Sequence, residues 1–301
     1  MPDLMCANHG TALNTGQGKT AEPIWTPPPP MTSGEFKSIG GFIQSEFGIK
    51  MPPAKKIMLQ SRLTKRLRAM KMSSYRQYME YLFSPEGMEK ELPYMIDAVT
   101  TNKTDFFREQ AHFDFLYNTL LPQWFLATGG REVFTAWSAG CATGEEPYSL
   151  AIMLSEFARV QPSFTFEVTA TDVSREVVEK ASQAIYPARR TDTIPAELRK
   201  RYLMRSRDRQ KQLTRIVPEV RSRVKFSLLN LMKTFSCPRE YDIIFCRNVI
   251  IYFERVVQEE LFNKCCNCLK HNGYLFIGHS ETLNGMRLPL RQIRPTVYQK
   301  A

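Results

Sequence analysis

The stretch Trp137–Leu150 reads WSAGCATGEEPYSL and lies between two apolar segments. Gly140 and Gly144 give it the character of a turn from a strand into a helix, where many α/β proteins hold a phosphate against the helix N-terminus. The same turn ends in Glu145 and Glu146, whose carboxylates would repel a phosphate. It also lacks the GKS or GKT ending of a P-loop and the complete GxGxxG dinucleotide pattern. The turn therefore favours a nucleoside ligand that carries positive charge and no phosphate.

Strand-like and helical segments alternate around this turn. The strand candidates are EVFTAWS, FTFEVTATDV, RVKFSLL, YDIIFC and GYLFIGHS, with PTVYQK near the C-terminus, and helices are predicted at about 145–158, 174–183 and 254–270. Alternation of this kind is typical of a mostly parallel sheet with helices on both faces. We therefore predict an α/β fold with a doubly wound, mostly parallel sheet.

Composition and periodicity divide the chain into four parts. The N-terminal segment has few charges and contains TPPPP, which predicts a disordered tail. The leucines Leu59, Leu63 and Leu67 share one helical face, which predicts a small all-helical domain. The predicted boundaries are a tail at 1–34, the helical domain at 35–100, a linker at 101–130, and the α/β domain at 131–301, interrupted by an insertion at about 187–225.

Charge and cysteine content limit the class of protein. The 301 residues carry a net charge of +11, which predicts an acidic partner. No apolar run approaches the roughly 18 residues that span a membrane, and the N-terminus lacks a signal-peptide pattern. Seven irregularly spaced cysteines argue against a disulfide framework, and the CxxC of Cys265–Cys268 has no second pair, so buried cysteines are expected rather than a metal site. We expect a cytoplasmic monomer without membrane insertion.

The helical domain has a lopsided charge. Between Lys50 and Arg76 there are nine Lys or Arg residues and no Asp or Glu. A solvated surface would explain such a run, but its one-sided charge favours a docking face for an acidic partner. Arg62, Lys65 and Arg66 are the residues that we expect to carry this face.

Polar residues follow every strand of the predicted sheet. Ligands of open α/β sheets bind beyond the carboxyl ends of the strands, so these positions predict a ligand cleft. The residues in question are Glu145 and Glu146 after the first strand, Asp172 after the second, Asn230 after the third, Arg247, Asn248 and Tyr252 after the fourth, and His279 and Glu281 after the fifth.

S-adenosylmethionine matches the ligand that this cleft favours, because it is a nucleoside with a sulfonium and an ammonium group and no phosphate. Asp172, at the end of the second strand, is placed to accept hydrogen bonds from ribose hydroxyls. Two alternatives stay open. Thr143 and Glu146 fit a capping box, and Asp172 could be an N-cap partner of the helix that follows it.

Four motifs carry a resemblance to a known family. TTNKTDFFRE, GCATGEEPYSLAI, FCRNVIIYF and GHSE occur in this order and resemble the signatures of CheR, the chemotaxis receptor methyltransferase family, from about residue 36 to the C-terminus. The resemblance implies a helical N-terminal domain and an S-adenosylmethionine-dependent methyltransferase domain. It also implies that the insertion is a small β-subdomain and that the linker carries part of the cofactor site. The implied reaction is methylation of glutamate side chains on the cytoplasmic helices of chemoreceptors.

The resemblance also implies the site residues. In the implied reaction, a cation such as Arg108 or a hydroxyl such as Tyr252 would orient the substrate carboxylate. The cofactor would be held by Asn102, Thr104, Arg108, Glu146, Asp172, Asn230, Leu231, Arg247 and Asn248. Simpler structural roles compete: a cap or turn for Asn102 and Thr104, ion pairing within the motif for Arg108, and an ordinary core position for Tyr252.

Two rival functions and one departure from the family complete the prediction. A nucleic-acid methyltransferase would fit the basic charge, but the fourth strand lacks the Asn/Asp-Pro-Pro-aromatic motif of base methyltransferases and no RNA-binding signature is present. A non-enzymatic binding protein on the same fold is the second rival. Some family members bind a peptide at the receptor C-terminus through a glycine-bearing loop in the β-subdomain, whereas MRSRDRQKQLTRIV has no glycine here. Binding of that pentapeptide is therefore doubtful.

Overall fold

The computed structural model describes residues 25–301, so residues 1–24 of the predicted tail lie outside it. An all-helical domain comes first in the chain. Thr32 and Glu35 form a capping box at its first helix, because each side chain accepts a hydrogen bond from the other residue's backbone N–H. The helices of this domain are α1 (Ser33–Phe47), α2 (Lys56–Ala69), α3 (Tyr75–Leu82), α4 (Pro85–Lys90) and α5 (Leu92–Val99).

The segment 25–34, which the sequence analysis placed in the tail, packs against the helical domain. The Trp25 indole donates a hydrogen bond to the carbonyl oxygen of Met72 at 2.9 Å. Met31 is buried, and its backbone N–H donates to the side-chain oxygen of Gln60 at 3.0 Å. The ordered helical domain therefore begins before residue 35.

Two of the three basic residues that we expected on the docking face form their contacts inside this domain. The Arg62 guanidinium donates to the carbonyl oxygens of Val99, at 2.7 Å, and Thr100, at 2.9 Å. Arg66 forms a two-point contact with the buried carboxylate of Glu91. Both arginines therefore tie α2 to α5, Arg62 at the C-terminal end of α5 and Arg66 at the residue that precedes it. Among the three, only Lys65 is exposed to solvent.

The α/β domain is built on a seven-stranded sheet with the order β6-β2-β1-β7-β8-β10-β9. The first five strands of this order are parallel, and the last two are antiparallel to their neighbours. The strands are β1 (Val133–Ala139), β2 (Thr165–Asp172), β6 (Val224–Leu228), β7 (Tyr241–Phe245), β8 (Leu269–Phe276), β9 (Leu290–Arg294) and β10 (Val297–Lys300).

Side chains alternate between two hydrophobic cores, one on each face of the sheet. Phe134 and Ala136 of β1 lie in the core on one face, whereas Trp137 and Ala139 lie in the core on the other. This alternation is the two-residue period of a strand that is buried on both sides. The helices around the sheet are α6 (Gln110–Phe115), α7 (Leu121–Thr128), α8 (Glu145–Val160), α9 (Arg175–Gln183) and α12 (Arg255–Cys268).

The insertion forms a second, three-stranded sheet with the order β3-β5-β4. Residues 224–225, which the sequence analysis placed in the insertion, begin β6 of the main sheet instead. The predicted linker is also structured, because α6 and α7 lie within residues 101–130. The elements of the insertion are β3 (Ile185–Pro187), α10 (Ala196–Tyr202), β4 (Leu203–Arg205), β5 (Leu213–Ile216) and α11 (Pro218–Arg221).

The cysteines differ from the expectation in one respect. Cys268, at the end of α12, forms a disulfide with Cys237 in the loop before β7. Cys265 and Cys266 are buried and free, as expected for helix cysteines. The disulfide was missed because its two cysteines are 31 residues apart and lack any spacing pattern. Separately, no helix within residues 25–301 combines the length and hydrophobicity that crossing a membrane would require.

Arg66→Ala should destabilise the helical domain. The substitution leaves Glu91 buried without the two arginine hydrogen bonds, while Tyr78 still donates to its carboxylate. Removing one member of a fully buried ion pair costs roughly 3–5 kcal/mol, and we expect about 2–3 kcal/mol here because Arg66 is 22% exposed. Lys65→Ala, the exposed neighbour, is the control and should change stability by less than about 0.5 kcal/mol. Denaturant unfolding measures both; equal stability of the two variants would contradict a structural role for Arg66.

Candidate active site

A cavity of about 280 Å³ opens at the carboxyl ends of the parallel strands. Its walls come from the helical domain, from the segment that precedes α6 and from the loops of the sheet. All ten site residues predicted from the sequence line it: Asn102, Thr104, Arg108, Glu146, Asp172, Asn230, Leu231, Arg247, Asn248 and Tyr252. The structure thus brings together residues that are up to 150 positions apart in the chain.

The turn between β1 and α8 approaches the cavity closely because of its glycines. Gly140 has φ +82°, and a Cβ atom there would collide with Val249. Gly144 has φ +95° and directly precedes α8. Both positions require backbone conformations that other residues rarely adopt. The turn can therefore bring its backbone and the first carboxylates of α8 to the edge of the cavity.

Glu146 does not form the capping box considered above. The Thr143 hydroxyl donates to Glu145 instead. One Glu146 oxygen accepts from the Ser138 hydroxyl at 2.7 Å, and the other accepts from Nε of Arg247 at 2.7 Å. These contacts fix the carboxylate while each oxygen keeps a further lone pair for a ligand. Glu146 is therefore a buried, oriented acceptor at the cavity wall.

Arg247 connects the sheet to the segment before α6. Its Nη1 atom donates to the carbonyl oxygen of Arg108 at 2.7 Å and contacts Nδ1 of His112 at 3.0 Å. A guanidinium only donates, so Nδ1 accepts and the proton lies on Nε2, which contacts Thr296. Burial, reinforced by the Arg247 charge, lowers the pKa of His112 to about 3. His112 is therefore a neutral partner that supports Arg247.

Asp172 lies at the end of β2 and bridges two loops. One oxygen accepts from the backbone N–H of Ala142 at 2.9 Å, and the other accepts from that of Ser174 at 3.0 Å. The N-cap of α9 is Ser174, and Asp172 accepts from its backbone N–H, so Asp172 is a partner of this N-cap as well as a residue of the cavity wall. Burial raises the pKa of Asp172, and these backbone hydrogen bonds oppose the rise. The carboxylate is thereby held rigidly beside the β1–α8 turn.

The residues of the segment before α6 do not cap a helix. Asn102 donates to the Thr100 hydroxyl at 3.2 Å, and the Thr104 carbonyl oxygen accepts from Arg190 at 2.8 Å. Arg108 donates to the Lys103 carbonyl oxygen rather than pairing with an acidic residue of its own motif. The capping and pairing alternatives therefore do not describe these side chains.

The loop after β6 joins the site to the helical domain. The Asn230 amide donates to the carbonyl oxygen of Glu46 in α1 at 2.9 Å, and its oxygen accepts from the backbone N–H of Met232. Leu231 is nearly buried in the core that also contains Phe262. Asn230 thus fixes the position of helix α1 over the cavity.

Glu281 organises the loop after β7. Its carboxylate accepts hydrogen bonds from the backbone N–H groups of Asn248 at 3.0 Å, Ile250 at 3.1 Å and Gly278 at 2.6 Å. Asn248 has φ +59°, a conformation that this anchoring stabilises. Tyr252 ends the short helical turn that follows. The sequence indicated Glu281 as a polar strand-end residue but not its role, because backbone donors leave no pattern in a sequence.

Negative side chains line the strand-end wall of the cavity, and positive side chains lie at its rim. The buried carboxylates Glu146 and Asp172 lie at the strand ends, whereas the rim carries the cations Lys55, Lys103 and Arg108. Burial is the main cause that lowers the pKa of Lys55. Lys55 belongs to the helical domain and was not among the predicted residues. The carboxylates suit a cationic nucleoside, and the rim suits an anionic group.

The doubly wound sheet and the acidic cleft at its strand ends fit a methyltransferase that uses S-adenosylmethionine. The chain matches the family described as CheR methyltransferase, SAM binding domain, over residues 102–299, and its all-alpha domain over residues 34–100. The chain belongs to the CheR methyltransferase family. This confirms the fold, the cofactor and the family predicted from the sequence.

Relatives of similar length support the same assignment. The chemotaxis protein methyltransferase of Borreliella burgdorferi is 37% identical over 90% of this chain and 95% of that protein. The Salmonella typhimurium protein of the same name is 35% identical over 89% of this chain and 90% of its own length. The Escherichia coli protein is 34% identical, over 89% and 91% respectively. The similarity thus extends over both domains.

Glu281→Ala should destabilise the methyltransferase domain, because it leaves three backbone N–H groups without their acceptor. Each buried donor left unsatisfied costs roughly 1–3 kcal/mol, and entry of water offsets part of this, so we expect a loss of about 2–4 kcal/mol. His279→Ala in the same motif is the control, since its side chain is 57% exposed. Denaturant unfolding that shows the same small loss for both variants would contradict the anchoring role.

Proposed function

We propose that this protein transfers the methyl group of S-adenosylmethionine to glutamate side chains on the cytoplasmic helices of chemoreceptors. The products are glutamate methyl esters, and the process served is chemotaxis adaptation. The observation that carries the proposal is the cavity itself, with two buried carboxylates at its strand-end wall and cations at its rim. The names of the relatives, all chemotaxis methyltransferases, support the receptor as substrate.

Different residues around the cavity would contact different parts of the cofactor. S-adenosylmethionine supplies an electrophilic methyl group on a sulfonium. Asp172 would accept hydrogen bonds from the ribose hydroxyls, and Glu146 would face the ammonium group. The remaining wall would be formed by Asn102, Thr104, Arg108, Asn230, Leu231, Arg247 and Asn248. The donor set fits this cofactor because it offers carboxylates rather than a phosphate cradle.

The acceptor needs orientation more than activation. A glutamate side chain has a pKa of about 4.3, so it is an ionised nucleophile at neutral pH and requires no general base. Arg108 and Tyr252 would orient its carboxylate, and the remaining barrier is lowered by alignment and by exclusion of water. The rim cations attract the anionic group, and a loose contact leaves it nucleophilic.

The helical domain would dock the receptor. Lys65 and Arg68 are exposed on α2, on the same face as Ile57, which is 80% exposed. An acidic receptor helix would lie along this face and reach the rim, since Lys55 and Met58 next to it line the cavity. Arg62 and Arg66 support the domain rather than the contact. We further propose that the enzyme acts in the cytoplasm, as a monomer, and not on nucleic acid.

We do not expect the protein to bind a receptor C-terminal pentapeptide. The loop between β4 and β5 contains Gln212 at φ +46°, where glycine would adopt the same backbone with less strain. Its exposed neighbours include Arg207 and Lys211. Bulky charged side chains of this kind obstruct the addition of a strand to an edge. The receptor body would therefore be the recognised part.

Labelled methyl groups should pass from S-adenosylmethionine to purified cytoplasmic receptor fragments, with or without their C-terminal tails. The label should be released by mild alkali, because esters hydrolyse and methylated amines do not. Raising the salt well above 0.1 M should slow the transfer, because the Debye length then falls below about 10 Å and the attraction between exposed charges weakens. Total RNA is the control acceptor. Label on RNA, or alkali-stable label on receptor, would contradict the proposal.

Asp172→Asn should weaken S-adenosylmethionine binding about 10–100-fold. The substitution keeps the size of the side chain but removes a charge-assisted hydrogen bond, worth roughly 1.5–3 kcal/mol. Calorimetry measures the affinity, and Asp114→Asn, at an exposed position on α6, is the control. A folded Asp172→Asn variant with the affinity of the control would remove Asp172 from the cofactor site.

A further inference from the structure

One side chain of the β-subdomain contacts two segments that flank the cavity. Arg190 follows β3, and its Nη2 atom lies 2.6 Å from a carboxylate oxygen of Glu145. The same nitrogen donates a hydrogen bond to the carbonyl oxygen of Thr104 at 2.8 Å. A single guanidinium nitrogen therefore bridges the first turn of α8 and the segment before α6.

Glu145 depends on this contact. Its carboxylate is fully buried, and one of its oxygens accepts from the Thr143 hydroxyl. The other oxygen receives no hydrogen bond from residues 25–301, so its contact with Arg190 is an ion pair without hydrogen-bond geometry. Burial raises the pKa of Glu145 most strongly, Asp105 raises it further, and Arg190 opposes both. Arg190 therefore supplies the counter-charge for a buried carboxylate.

The two adjacent glutamates of the GEE motif have different roles. Glu146 lines the cavity, whereas Glu145 does not. Thr104 does line it, as does Arg108 in the same segment. The carboxylate of Glu145 is therefore linked to the Thr104 backbone through Arg190.

We propose that Arg190 is a positioning residue that holds the cavity wall formed by residues 102–108 against α8. Without it, the buried carboxylate of Glu145 loses its counter-charge and the Thr104 carbonyl oxygen loses its donor, so the segment is no longer held against α8 at this point. The cofactor then loses contacts with Asn102, Thr104 and Arg108. The inference rests on cofactor binding alone, so its test is independent of which acceptor the enzyme methylates.

The test is the affinity for S-adenosylmethionine, measured by calorimetry on the full chain. Arg190→Ala should weaken binding about tenfold, the value of one charge-assisted hydrogen bond. Adding Glu145→Gln should restore most of the affinity, because the double variant no longer contains the uncompensated charge. Arg189→Ala is the matched control, since Arg189 is exposed and does not line the cavity. It should bind like the unmodified protein.

Two results would overturn the proposal. One is an affinity of Arg190→Ala within twofold of the unmodified protein. The other is a double variant that binds no better than Arg190→Ala, because a side chain that merely fills space would not be replaced by removing the charge of Glu145. If Arg190→Ala fails to fold, Arg190→Gln takes its place with the same thresholds, since it keeps a long side chain and a hydrogen-bond donor.

Discussion

The buried guanidinium of Arg247 is the constraint on which the site depends. Its side chain is 2% exposed, so it needs acceptors that replace water. Those acceptors are Glu146, more than 100 residues earlier in the chain, and the carbonyl oxygen of Arg108, 139 residues earlier. The charge of Arg247 has its acceptors only when the sheet, helix α8 and the segment before α6 are all assembled. The cleft is therefore a product of tertiary packing and cannot form from one motif alone.

The sequence predicted the parallel strands well because strands buried on both faces are continuous apolar runs. It missed β9 (LRQIR), since this edge strand is mostly polar and pairs on one side only. It also treated α6 and α7 as linker. Pro122 and the irregular turn Leu116–Leu120 interrupt the helical period between them, so no uninterrupted amphipathic pattern is visible.

The sequence also predicted most of the cleft, because the motifs at the strand ends converge by topology. It failed where the partner of a charge lies elsewhere in the fold and no motif marks the pair. Arg62 and Arg66 look like surface residues in a charge count, but they flank the buried leucines of α2 and turn towards Val99 and Glu91. Arg190 carries no motif, and only the folded insertion brings it to Glu145.

The cavity wall is shared between the two domains, and this sharing has a thermodynamic consequence. The amide of Asn230 holds the carbonyl oxygen of Glu46, and the Lys50 backbone N–H donates to Tyr252. A ligand in the cavity therefore binds a surface that exists only while both domains are folded and docked. Ligand at 100 times its dissociation constant adds about 2.7 kcal/mol to that state. The ligand thereby couples the unfolding of the helical domain to that of the sheet.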